Sequence, residues 1–197
     1  MIDVTKFSKH NIIDTCAIWN VLSSVELYRA TMRASINFYC SEFVIYECLY
    51  RHRTTNKEED KKLQQILLEE RKKDLFLSFK LDIEDLQLVN ILQTRKKLGL
   101  GEISSIALAI KTKQAFLTDD QRARKLAMSV QEGTIVQTVP QMFGWLFFVG
   151  ILIDGDKDVI ITQHQEMNGI LTKYFIQTYM EACRCRLIAT PSALAGK

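Results

Sequence analysis

Proline and glycine are scarce, at 2 and 8 in 197 residues, too few for a collagenous, linker-rich or low-complexity chain. Histidine is scarcer than glycine, with 3 copies (His10, His52 and His164). They are scattered and lack the nucleophile and orienting group that acid–base catalysis needs. The 5 cysteines are odd in number and hold no C-x-x-C pair, which argues against a disulfide framework or a zinc knuckle and makes a reducing cytoplasm the expected setting. Neither sign of charge dominates. The 26 Lys and Arg against 23 Asp and Glu leave +3, a surplus that permits a polyanionic partner without demanding one. Long apolar runs are missing too: the longest, GWLFFVGILI at residues 144 to 153, is about half of the ~20 residues a membrane-crossing helix requires. It reads as buried core, and no membrane association is expected. The first residues, MIDVTKFSKH, contain no apolar core and no small-residue cleavage site, so no secretory signal is read.

The composition is that of a globular protein, with 47% apolar and 25% charged residues, and the length suggests one domain with an extension. Residues 10 to 14 are a short apolar run ending on Asp14, after which Thr15 offers a hydroxyl where a helix begins. Helix is expected to about Ser35. Residues 43 to 50 (FVIYECLY) are apolar around one acid, Glu47. Residues 51 to 74 form a mixed-charge block with Glu58 and Lys62, and Glu69 and Lys73, at i,i+4 spacing, which predicts a pair of solvated helices. A strand at 75 to 81, a helix at 83 to 97, a helix opening near Gly99 and Gly101, a strand at 115 to 118, a helix carrying Leu126 and Ala127, and a strand at 134 to 139 closed by Pro140 complete the pattern. Strands alternating with helices predict an α/β fold, a parallel sheet covered on both faces. Ligands of such sheets sit beyond the carboxyl ends of the strands, where the topology reverses.

Four acidic positions stand out: Asp14 after a strand, Glu47 inside an apolar segment, Glu102 opening a helix, and Asp119 with Asp120 after a strand. Each has a bland explanation, since Asp caps helices and Glu in a first turn complements the macrodipole. Glu47 is harder to dismiss, because burying a lone carboxylate costs several kcal/mol, on the order of the transfer penalty for an unpaired charge. If all converge, only a cation reconciles them, and hard oxygen ligands without His or Cys suit Mg²⁺ or Mn²⁺. Such ions activate water and polarise a phosphodiester, so the implied reaction is phosphodiester hydrolysis.

The segments NIIDTCAIW, VIYECL, GEISSIALAI and FLTDDQRARKLA, in this order and spacing, resemble the four acidic motifs of PIN-domain nucleases. The resemblance covers roughly residues 10 to 150, within a nuclease domain expected at residues 1 to 150. It implies a Rossmann-like PIN fold, acids that bind Mg²⁺ or Mn²⁺, and RNA cleavage. Because many members are toxins of type II toxin–antitoxin systems, it also implies a cytoplasmic ribonuclease restrained by an antitoxin protein. By this resemblance Asp14 is the first-strand aspartate, Glu47 the buried glutamate and Glu102 the helix-opening acid. The family's Thr-x-Asp favours Asp120 after Thr118, while Asp119 lies nearer the strand end, so both are kept. Thr15 and Thr118 would orient carboxylates or water, and Arg122 and Arg124 would touch phosphate or form a solvated basic face. Cys16, Trp19 and Cys48 depart from the family's usual residues but change no ligand.

Residues 151 to 190 have no counterpart in that resemblance and are expected to pack as a helical extension on the domain or on a second copy of the chain. Residues 191 to 197 are expected to be a disordered tail. The helix at 168 to 185 carries a stripe of Ile170, Leu171, Tyr174, Phe175 and Tyr179, expected to be core or dimer interface. Asp154, Asp156 and Asp158 imitate a calcium loop, but Val159 and Gln165 stand where Gly and Glu are required. Basic clusters at 51 to 53, 71 to 73 and 95 to 97 are candidates to guide a nucleic-acid backbone. Three alternatives stay open. One is a DNA nuclease on the same fold and another a non-catalytic RNA-binding or assembly module. The third, an aspartyl-phosphatase type, would want a second Asp where Cys16 stands.

Overall fold

A computed structural model describes residues 2–51, 57–95, 98–130 and 133–189. His52, Arg53, Lys96, Lys97 and the tail at 191 to 197, all singled out above, lie outside the described residues. The chain runs β1 (His10–Ile13), α1 (Thr15–Leu22), α2 (Val25–Arg33), β2 (Asn37–Ser41), α3 (Glu42–Leu49), α4 (Glu58–Arg71), β3 (Leu77–Phe79), α5 (Ile83–Arg95), α6 (Leu100–Thr112), β4 (Ala115–Leu117), α7 (Gln121–Val130), β5 (Val136–Gln137), α8 (Val139–Phe148), α9 (Asp156–Glu166) and α10 (Thr172–Ala189). The five strands pair in parallel in the order β3-β2-β1-β4-β5. The fold is therefore α/β and Rossmann-like, with a helical C-terminal part. From β1 the chain fills one side of the sheet before crossing to the other, which makes the β1–β4 boundary the switch point.

Alternation along the strands builds two cores. Ile13 and Leu117 face a cluster with α1, α2, α3, α4 and the C-terminal helices. Ile12 and Phe116, one residue earlier in each strand, face α5, α6 and α7. Helix α6 is buried nearly all round, through Gly101, Ile103, Ser104, Ser105, Ile106, Ala107, Leu108 and Ala109. Its serines are satisfied at close range: Ser104 donates to the Gly101 carbonyl and shares a 2.7 Å bond with Ser41.

Several sequence expectations shift. The stretch to Ser35 is two helices, because Ser24 caps a second one by accepting from the Leu27 amide. The mixed-charge block gives one described helix, α4, and its ion pairs are Glu58–Lys61 and Glu70–Lys73 at i,i+3. Strand β2 was not anticipated. The expected stripe, which begins before α10, divides: Leu171 and Phe175 are buried and Tyr179 packs on Phe147, whereas Ile170 and Tyr174 are exposed. Asp156 turns back to accept from the Ile153 amide at 2.9 Å and opens α9, which accounts for the acidic turn without an ion. No helix among the described residues is long and apolar enough to cross a membrane.

The C-terminal helices are tied to the rest by packing and by one buried histidine. The Leu171 amide donates to His164 Nε2 at 3.0 Å, so Nδ1 carries the proton and donates to Ser23 Oγ at 2.6 Å. Burial holds His164 down at about 4, hence neutral. Helix α10 crosses α8 closely at Gly144, where an added Cβ would stand 2.7 Å from Val4 Cγ1 and 2.9 Å from the Thr178 carbonyl oxygen. Gly144→Ala is expected to lower stability by about 1–3 kcal/mol through overpacking against backbone, read as a reduced melting temperature. An unchanged melt would show that the crossing has slack.

Candidate active site

The register pairs Ile13 of β1 with Leu117 of β4, so the next residues, Asp14 and Thr118, meet across the switch point. Both are fully buried. Asp14 caps α1, with one carboxylate oxygen accepting from the Ala17 amide at 2.9 Å and the Cys16 thiol at 3.0 Å. The other oxygen accepts a short hydrogen bond from the Thr118 hydroxyl. The helix begins at Thr15 as expected, with Asp14 as its cap. Burial outweighs the three donors and, with the charge of Asp119 adding to it, pushes the Asp14 carboxyl up to about 7. Burial and the neighbouring Asp14 also raise the Cys16 thiol, so this residue serves Asp14 as a neutral S–H donor and not as a nucleophile.

Asp119 and Asp120 divide the work at the end of β4. Asp119 accepts from the Asn20 side-chain amide at 2.7 Å and from the Val139 amide, in the first turn of α8, at 3.0 Å. Burial lifts it to about 6, against the pull of Asn20, the Val139 amide and Arg124. Asp120 accepts from the Arg122 and Ala123 amides at 2.7 and 2.8 Å, capping α7, while its own amide donates to Thr118 Oγ1 at 3.1 Å. The two arginines differ. Arg122 is exposed and stands 3.8 Å from Asp120. Arg124 is half-buried, its Nε–H is buried and makes no hydrogen bond, and its charge acts on Asp119.

Glu47 and Glu102 meet on the other flank. Glu47 projects from α3 and accepts from the Thr15 hydroxyl at 2.8 Å and the Gly101 amide at 3.3 Å, with Arg51 Nη1 at 3.6 Å. It is thus half-buried and partnered, not the lone buried carboxylate the apolar segment suggested. Glu102 sits in the first turn of α6. Burial, reinforced by the charges of Glu47 and Asp120, lifts its carboxyl above the usual range. The two glycines before it leave the space: a Cβ on Gly101 would stand 2.2 Å from Glu47 Oε2, and one on Gly99 would stand 2.5 Å from Glu102 Oε2 and 3.6 Å from Glu47 Oε1.

All five acids therefore border the switch point, in two groups: Asp14 with Asp119, and Glu47 with Glu102 and Asp120. Thr15 and Thr118 join them, one to Glu47 and the other to Asp14 and Asp120. Among the described residues no three His, Cys, Asp or Glu side chains are close enough to hold an ion jointly. The donors do fit a hard dication in kind, because two carboxylates project into one glycine cradle and Mg²⁺ keeps several waters and needs only one or two protein carboxylates. Sequence reasoning missed Asn20 and the role of Cys16; a lone amide in the apolar helix TCAIWNVL was the available signal for the first. No family model matches the chain, and no curated protein matches it.

Asp14 gives the site a pH signature. The folded state keeps its proton up to about pH 7, whereas the unfolded chain releases it near 3.9. The folded state thus holds the extra proton between those values, and stability falls as pH rises through the window. Asp14→Asn removes this titration. In metal-free urea unfolding its stability is expected to gain on wild type between pH 5 and pH 8 by on the order of 2–4 kcal/mol. A difference that stays constant with pH contradicts the assignment.

Proposed function

We propose that the chain is a divalent-metal-dependent endoribonuclease of PIN type. The observation that carries the reading is that five acids from four separate segments border one switch point, where burial raises Glu102, Asp14 and Asp119 and neighbouring acids add to the rise of the first two. Carboxyl groups so arranged are costly without a cation to share. Glu47 and Glu102 would hold Mg²⁺ or Mn²⁺, which would supply Lewis acidity and lower the pKa of water.

The chain's own residues supply the rest. Thr15 and the Gly101 amide fix the Glu47 carboxylate, and Asp120 stands within charge range of Glu102. Asp119, protonated below about 6 and only partly buried, is able to accept a proton from attacking water near neutral pH, while Asp14, which has no exposed surface, couples to it through charge. Arg122, exposed beside Asp120, is the more open of the two arginines to a phosphate oxygen, while Arg124 acts on Asp119 through its charge. A restraining antitoxin and a toxin role belong to the same reading and rest on the sequence resemblance alone.

Purified protein with Mn²⁺ is expected to cut single-stranded RNA, and EDTA to stop it. Glu102→Gln and Asp14→Asn should each reduce cleavage at least ~100-fold while remaining folded by circular dichroism. Undiminished cleavage by both variants defeats the reading; a preference for DNA redirects it to deoxyribonuclease activity.

A further inference from the structure

A cavity of about 860 Å³ opens beside the acids, walled by α3, α5 and the approach to α6. Its size falls within the ~300–1,000 Å³ of typical ligand sites. It is continuous with the acidic rim, because Glu47 and Gly99 line both.

Helix α3 explains what the cavity offers. Its inward face buries Val44, Ile45 and Cys48 in the core. Phe43, Tyr46 and Glu47 fall on the other face, at i, i+3 and i+4, so two aromatic rings and one acid share a surface. Tyr46 leaves 57% of its surface exposed, and a large ring held open on a wall next to ionised groups is a stacking platform. Gln93 on the opposite wall carries both a donor and an acceptor, and Arg51 supplies a cation at the edge shared with Glu47.

We infer that this cavity receives an unpaired nucleobase of the strand whose phosphate lies at the acidic rim, with the base stacked on Tyr46. The inference deepens the phosphodiesterase reading and rests on it. A flat π-face suits Tyr46 and Phe43, a base edge suits Gln93, and the adjoining backbone phosphate suits Arg51. A duplex offers no free base face, so the cavity selects single strands. Stacking tolerates every base, so preference among bases is weak.

Binding without catalysis provides the test. In EDTA, the affinity of the full chain for a fluorescent single-stranded RNA is measured for wild type, Tyr46→Ala and Tyr46→Phe. The alanine variant is expected to bind roughly tenfold more weakly and the phenylalanine variant within about twofold of wild type. A strand abasic throughout should bind wild type as weakly as the normal strand binds the alanine variant. Equal binding of normal and abasic strands, or an unaffected alanine variant, overturns the inference. Hydrolysis of bis(p-nitrophenyl) phosphate by Mn²⁺-loaded wild type, a diester without a nucleobase, reads the acids alone. Hydrolysis with ring-independent binding sinks the cavity and leaves the nuclease; ring-dependent binding without hydrolysis sinks the nuclease and leaves a base-binding cavity.

Discussion

A fully buried carboxyl at the end of the central strand is the constraint around which the molecule is arranged. Asp14 has no exposed surface, and a carboxyl in that position is tolerable only when its oxygens are met by donors. Those donors come from different parts of the chain: the first turn of α1, the thiol of Cys16 and the hydroxyl of Thr118 from the end of β4. Satisfying Asp14 therefore fixes α1 against the β1–β4 junction. Helix α1 then carries Asn20 to Asp119 and Ser23 to His164, so the same helix ties the acids to the C-terminal helices.

Electrostatics separates the acids into roles that their identical chemistry hides. Asp120 is stabilised by two amides at a helix start, where negative charge is welcome. Asp14 and Asp119 are pushed toward neutrality by burial despite good hydrogen bonds. Glu102 is pushed up by burial and by the charges of Glu47 and Asp120. Glycine is what allows the last pair: at Gly101 any side chain would occupy the place of Glu47 Oε2. Burial makes the ionised forms of these acids costly here, the pattern by which candidate functional sites are recognised.

Much of the layout was legible in the sequence because strand-end acids follow a physical rule. A short apolar run ending on Asp, followed by helical spacing, marks the carboxyl edge of a parallel strand, and β1 and β4 obeyed it. What stayed hidden lacked periodicity. Strand β2, NFYCS, mixes polar and apolar residues because Asn37 begins it in solvent and Ser41 ends it by capping α3. The pairings of Asn20 with Asp119 and Cys16 with Asp14 join residues that only the folded register brings together or that local spacing leaves ambiguous. Charge spacing misled for α4, where Lys61 and Lys73 reach the acids one turn back at i,i+3. Likewise, the stripe leading into α10 hid the fact that Leu171, Phe175 and Tyr179 turn inward while Ile170 and Tyr174 do not.

The account's central claim is that Glu47 and Glu102, brought together beside Gly99 and Gly101, share a divalent cation. Anomalous scattering from crystals soaked in Mn²⁺ tests it most directly. The account predicts a peak between those two carboxylates, within reach of Asp120. A map with no peak along the acidic rim, or with manganese only at a distant group such as Asp154 and Asp158, would contradict it.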